Sequence, residues 1–394
     1  MSEPQVLIVG AGPSGADLAY RLAVAGVDVM VVDRLTDLRQ AAFSSAAVPW
    51  SAVEEHQWPD SVIAARWSGW QLLGPGGQRR QWQAPQPLGA VLDFGALRHW
   101  LARRAEAAGA RLALGWRADS WRPHGDGALV QLRGPGGERR DVQASWLVDA
   151  SGQQRALLGD PASTEHPLVR GVGVEWLVQV DPLGWQRWAD QLSFMLGSDW
   201  VPQGYGWVFP MGPGVLKVGI CRLCDPLRPQ PPLQTLLQQL LDRVGLGDCP
   251  VLDRHGGLVR STIHRHESHQ CGPLLGLGDA VSTANLLGGE GIRHALSSSA
   301  ELAPLLVTAL AGKPSALRHY PRRLRRRLGW RWSLSGRLAQ HTWLGLRNVA
   351  ADRRLSSLLR GLEGCSADDL SALLFDYRFE RYGLRALPYA LGWR

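Results

Sequence analysis

Residues 5–34 hold the feature that most constrains this chain. The apolar run Gln5-Val6-Leu7-Ile8-Val9 leads directly into Gly10-Ala11-Gly12-Pro13-Ser14-Gly15, and helical periodicity follows through Leu18, Ala19, Leu22 and Ala25. Gly26 closes that helix, and a second apolar run, 27–32, ends in Asp33-Arg34. Short uninterrupted apolar runs are the pattern of strands buried on both faces of a parallel sheet. The stretch therefore predicts one strand–helix–strand unit with GxGxxG spacing at its turn. Gly10 allows the tight turn, Gly12 lets the backbone approach a pyrophosphate, and Gly15 lets helix and strand pack closely. The N-terminus of the helix then offers free N–H groups and a positive dipole end, and Asp33 is placed to accept hydrogen bonds from ribose hydroxyls. This unit predicts a dinucleotide site and leaves NAD and FAD open.

A second motif narrows the choice. Leu274 to Leu277 reads as another buried strand, ending in Gly278-Asp279-Ala280; Gly288-Gly289-Glu290-Gly291-Ile292 then opens a long helix over 289–310. A Gly-Asp at a strand end can present its carboxylate to a ribityl chain. A glycine-rich helix start can face a phosphate or a flavin pyrimidine with bare N–H donors. Two such helix starts about 270 residues apart suit an extended cofactor, and the expectation is FAD. The turn Val148-Asp149-Ala150-Ser151-Gly152 is expected close to the same dinucleotide.

The rest of the 394 residues organises around these motifs. Residues 95–108 read as a helix, 111–114 as a strand, and 129–148 as a hairpin-rich section. Strict alternation through Val172, Val174, Trp176, Val178 and Val180 predicts a half-buried strand, with further strands at 206–209 and 216–220 forming a mainly antiparallel second sheet. The stretch 39–87, rich in Trp, Gln, Pro and Gly, shows little periodicity. The expected fold is α/β: a Rossmann-type FAD-binding domain, an inserted antiparallel substrate domain and a helical C-terminal region. Its divisions are 1–165 with an inserted segment at about 40–90, then 166–255, 256–312 and 313–394.

Composition bounds the class. An apolar fraction of 45% is that of a globular chain, and no apolar run is long enough for a membrane span. The start Met1-Ser2-Glu3-Pro4 reads as no signal peptide, and five scattered cysteines suit a reducing, cytoplasmic compartment. Cys221 and Cys224 form a lone CxxC and predict no metal. The net charge of +8 is local: ten basic residues and no acid lie between Lys313 and Ala351, leaving the remainder at about −2. Arg322 to Arg327, flanked by Tyr320, Trp330 and Trp332, suit a diphosphate or anionic lipid headgroups, with the indoles at the interface. A solvated helix face is the plain alternative, and no motif supports nucleic acid.

Together these residues resemble the flavoprotein superfamily of aromatic hydroxylases, flavin halogenases, lycopene cyclases and geranylgeranyl reductases, over about residues 5–310. Gly204-Tyr205-Gly206-Trp207-Val208-Phe209-Pro210, with Leu216-Lys217-Val218-Gly219-Ile220 after it, is similar to the Tyr-x-Trp-x-Phe-Pro segment of the geranylgeranyl reductase family. The thirteen positions from Gly278 to Glu290 keep that family's spacing. The resemblance implies cofactor contacts at Gly10, Gly12, Ser14, Gly15, Asp33, Arg34, Ala118, Asp279, Gly289, Gly291 and Ile292. It also implies that Tyr205, Trp207 and Phe209 line an isoprenoid pocket; by period two their rings share one strand face. Three departures stand out: Leu286 replaces a usual proline, Phe94 a usual arginine, and Ala41-Ala42-Phe43-Ser44-Ser45 a usual Cys-Gly pair.

The activity this resemblance implies is FAD-dependent hydrogenation of C=C bonds in a prenyl chain. Tyr205 is the candidate for shaping the pocket or relaying the proton. With one dinucleotide fingerprint, NAD(P)H or a ferredoxin is expected as a transient donor. A monooxygenase and a lycopene-cyclase-like enzyme stay open, the latter with Glu54 and Glu55 as candidate loop acids. A halogenase is disfavoured, because no lysine precedes Lys217. Peripheral membrane contact is expected through the basic region 318–347.

Overall fold

The computed structural model describes residues 3–161, 168–262 and 267–380. The 165/166 boundary lies outside the described residues, as does the end of the C-terminal region.

Val6–Val9 sits inside a six-stranded sheet ordered Gln270–Cys271, Leu274–Gly276, Trp146–Asp149, Val6–Val9, Val29–Asp33, Arg111–Leu114. All neighbours are parallel except the Gln270–Cys271 edge. The apolar runs are uninterrupted because both faces are covered. Val6 and Ile8 pack under the helices Pro13–Val24, Phe94–Ala107 and Ile292–Leu310, through Leu18, Leu22, Ala102 and Leu306. Leu7 and Val9 point the other way, onto Ala118, Val130 and Leu132 of a three-stranded antiparallel sheet, Arg117–His124, Gly127–Arg133 and Arg139–Ala144. The long helix starts at Ile292, after the glycines, so the expected start at Gly289 moves by three residues.

The second sheet has seven strands, ordered Val251–Ser261, Val169–Gln179, Val215–Leu223, Gly204–Gly212, Gln191–Leu196, Gly69–Leu73, Arg79–Gln83. Pairing is antiparallel except between Gln191–Leu196 and Gly69–Leu73. Two of its strands thus come from the stretch 39–87. That stretch also supplies Ala47–Pro49 and Ile63–Trp67, which flank Gly89–Leu92 in a small sheet. Its strands are short and several are half exposed, so they carry no long period; buried Trp67 and Trp70 anchor them instead. Val251–Ser261 runs across the 255/256 division.

The two faces of the large sheet have different tasks. Val178, Val208, Val218 and Ile220 pack against the amphipathic helix Leu233–Val244. The opposite face carries Tyr205, Trp207 and Phe209, covered by Leu359, Leu370 and Phe375 of the C-terminal helices Val349–Gly361 and Ala367–Leu374 and the turn that follows.

The basic region lies on Tyr320–Gly345, which is broken at Gly329 (φ 80°, ψ 168°). Tyr320 and Trp332 are buried, and Trp330 is the ring exposed there, at 66%. The expectation of several interfacial rings is corrected accordingly: helix packing turns Tyr320 and Trp332 inward. Arg323 pairs with Glu301, Arg327 with Glu55, and Arg331 with Glu380. Glu54 and Glu55 are exposed on a helix, Trp50–His56, and not in a loop. Among the described residues no helix is long and apolar enough to cross a membrane, no group of residues could hold a metal ion, and all five cysteines are free.

Candidate active site

The glycines of the fingerprint divide their work by the space around them. A β-carbon on Gly10, where φ is +110°, would lie 2.4 Å from Ala150 O, and one on Gly15 would lie 2.0 Å from Gly10 O. A β-carbon on Gly12 would meet nothing within 4 Å. Two glycines thus close the turn against the 149–152 loop, while the third faces open space. Helix Pro13–Val24 begins without a side-chain cap, leaving its first N–H groups to a ligand. Asp33 closes the second strand; its carboxylate accepts from Ala11 N at 2.8 Å and Leu35 N at 2.9 Å. Arg34 is exposed beside it, and Ala118 is buried near Val32.

The second motif meets the first. Gly278, at φ +62°, is so close to the fingerprint helix that a β-carbon would lie 2.4 Å from Ser14 Oγ. Asp279 accepts from Thr283 Oγ1 at 2.8 Å, and burial pushes its carboxyl above the ordinary range. Both its oxygens would be 3.7 Å from a β-carbon on Gly291, the uncapped residue before Ile292. Glu290, between the glycines, is buried against Arg293, whose Nη2 donates to Oε2 at 2.8 Å. Arg293 also donates to Phe375 O at 2.7 Å, so the glycine loop is tied to the C-terminal segment.

The aromatic strand forms the wall of a cavity of about 310 Å³ that also touches Asp279, Gly289 and Gly291. Period two puts Tyr205, Trp207 and Phe209 on one face, with successive ring centroids 6.0 and 6.2 Å apart. Phe194, from the neighbouring strand, lies 5.7 Å from Tyr205 and 5.3 Å from Phe209. Trp343 closes on Tyr205 at 5.0 Å, and Phe375 adds a further ring to the lining. Tyr205 and the Cys221 thiol are partners across the antiparallel pair and interact in the buried wall. Burial raises both groups, Cys221 to about 12, so both keep their protons at ordinary pH.

Several functional candidates escaped the sequence. Arg98 is 8% exposed and donates to Gln40 O at 3.4 Å, near the charges of Asp33 and Arg34; burial lowers its pKa. It sits one turn after Phe94 on the same helix face, and that spacing was the available signal for a cation. Lys217 is buried and donates to Ser44 O at 2.9 Å, with Ser45 O and Leu92 O at 3.3 Å. It anchors the loop standing where the Cys-Gly pair was expected. Trp343 and Phe375 come from the C-terminal helices and the turn after them, for which no motif exists.

Fold and site define an FAD-binding protein: a glycine-turn βαβ unit joined to an apolar pocket at a second glycine loop. Residues 3–46 match the family model described as FAD binding domain. A digeranylgeranylglycerophospholipid reductase of Haloferax volcanii is 30% identical over 55% of this chain and 53% of its own length, so the chain spans about half of that protein. A menaquinone reductase of Mycobacterium tuberculosis is 28% identical over 85% of this chain and 83% of its own. The solved structure of a geranylgeranyl bacteriochlorophyll reductase-like protein from Thermoplasma acidophilum shares the fold, with a TM-score of 0.80 at 20% identity over 97% of this chain and 98% of that one. In sequence and in fold the chain is similar to these reductases, and its N-terminal segment carries the FAD-binding signature.

Proposed function

We propose that this protein hydrogenates C=C bonds of an isoprenoid chain. The observation that carries the reading is the ring-lined apolar cavity that reaches the second glycine loop. Such a wall binds a prenyl chain by excluding water. The loop 10–15, Asp33, Arg34, Ala118, Asp279 and the glycines at 289 and 291 with Ile292 would hold FAD, with Arg98 as an added cation for its phosphates. Bound in reduced form, FAD supplies the hydride for one alkene carbon. Tyr205 holds a proton on its hydroxyl oxygen, backed by the Cys221 thiol, and is the group we assign to protonate the neighbouring carbon. Trp207 and Phe209 keep water out and the chain aligned.

NAD(P)H or a ferredoxin would visit to reload the cofactor. We place the protein in the cytoplasm with peripheral contact to an anionic membrane. His319, Arg322 and Arg326 surround a surface depression floored by Leu305, beside the paired Arg323, and this supports that contact.

Mass spectrometry of geranylgeranyl lipids, incubated anaerobically with dithionite-reduced protein and again in air with NADPH, tests the reaction. A gain of hydrogen pairs without oxygen is the expected result. One added oxygen, seen only in air, would make the protein a monooxygenase, and unchanged mass with altered retention a cyclase.

A further inference from the structure

The pocket face of the seven-stranded sheet carries a chain of titratable groups that the reaction above does not use. His255, Glu175, Gly219 and Trp207 are register partners across four neighbouring strands and share one face. Glu175 is fully buried. Its Oε2 accepts the Trp207 indole N–H at 2.8 Å, and its Oε1 lies 3.0 Å from His255 Nε2. The other imidazole nitrogen, Nδ1, lies 2.8 Å from Oδ2 of the exposed Asp253. Gly219 makes the reach possible, because a β-carbon there would stand 2.2 Å from Trp207 Cζ2. His255 also meets the Phe43 ring edge-on at 5.1 Å. Phe43 lies over Gly257, where a β-carbon would be 2.3 Å from its Cδ1. Trp207 and Phe43 both line the cavity.

We propose that Asp253, His255 and Glu175 form a positioning device that, with His255 protonated, holds Trp207 and Phe43 at the width a prenyl chain needs. This rests on the prenyl-reducing reading above. An imidazolium donates from both nitrogens and so satisfies both carboxylates; a neutral ring donates from one. Deprotonation also takes the hydrogen-bonded positive charge away from the buried Glu175 and leaves it Lys217 as its remaining cation, which loosens its hold on the indole.

The other charges around the imidazole are few. Arg254 lies on the opposite face, over Trp176, and Lys217 on the next strand acts on Glu175 while held by Ser44 O. The loop 41–45 that carries Phe43 has no charge. The Glu175 hydrogen bond, opposed by burial and aided by Asp253, raises His255 above its ordinary value. The device is therefore closed below the ordinary histidine range and released as pH rises through that raised value.

Fluorotryptophan-labelled holoprotein tests this directly. The fluorine resonance missing from Trp207→Phe is that of Trp207. It is expected to follow a one-proton titration with a midpoint above 6.5 in the wild type, and to stay flat in His255→Gln. A resonance that does not titrate, or titrates alike in both, overturns the proposal. In the substrate arm, the wild-type KM for geranylgeraniol rises about tenfold on the alkaline side with little change in kcat, and His255→Gln has the high KM at every pH. A pH-independent wild-type KM also overturns it. If no prenyl substrate is reduced, the reaction assignment fails, and the fluorine titration still decides the positioning.

Discussion

A β-carbon placed on Gly289 would lie 3.1 Å from the Tyr205 hydroxyl, so the cofactor loop and the pocket wall meet at these two residues. Gly289 is at φ +68°, which favours glycine, and the tyrosine fills the space its missing side chain leaves. Tyr205→Phe keeps the ring and removes the proton. It is expected to retain FAD and bind prenyl substrate normally while kcat falls about a hundredfold. Steady-state kinetics on prenyl alcohols checks this, and an unchanged kcat would reduce Tyr205 to a wall residue.

Gly12 and Gly15 separate binding from folding. Gly15→Ala pushes a carbon into Gly10 O and is expected to cost about 1–3 kcal/mol of stability. Gly12→Ala meets no protein atom and should fold as the wild type, yet lose FAD affinity because the cofactor needs that space. Denaturant titration alongside flavin fluorescence distinguishes the two; equal FAD affinity in Gly12→Ala would remove the pyrophosphate from that position.

Asp279→Ala removes the carboxylate assigned to the ribityl chain and should weaken FAD binding by about tenfold or more, the scale of one lost hydrogen bond to a charged group. Equilibrium dialysis of the flavin measures it. Full FAD occupancy after dialysis would count against the assignment.

Buried Glu290 pairs with part-buried Arg293, and Glu290→Gln removes the nearer carboxylate from a guanidinium that keeps Phe375 O and Asp376, at a cost of about 1.5–3 kcal/mol. Burial alone would raise the Glu290 carboxyl, but Arg293 outweighs it and the net shift is downward. Its contribution is present above the ordinary carboxylate range and fades as pH falls through the lowered value. Unfolding curves at descending pH should show the wild type losing its advantage over the variant on the acid side.

The basic stretch makes a surface prediction. Replacing Arg322 and Arg326 with Gln should weaken co-sedimentation with phosphatidylglycerol vesicles and reduce its salt dependence, leaving FAD content unchanged. Equal binding to neutral vesicles, or no loss in the variant, would leave a solvated helix face.

The glycine turn was legible because Gly10 and Gly15 answer local demands of turn and close approach. The aromatic wall was legible from period two along 205–209. Arg98 was not, because one turn of helix separates it from Phe94, where the resemblance implies an arginine. Glu175 and His255 were not, because they read as alternate residues of two strands 80 positions apart. The 69–83 strands were lost for a different reason: both are short, and Arg79–Gln83, at the sheet edge, keeps its outer side in water.

Local pattern by itself determined the dinucleotide unit, the second glycine loop and the ring face of 204–210, since these depend on backbone geometry and side-chain period within a few residues. Tertiary structure alone decided that Ser14 meets Gly278, that Trp343 and Phe375 complete the pocket, and that Trp207 reaches Glu175 across Gly219. Contacts of that kind depend on sheet register and helix docking. Register follows from the burial of whole faces, and no single segment contains that information.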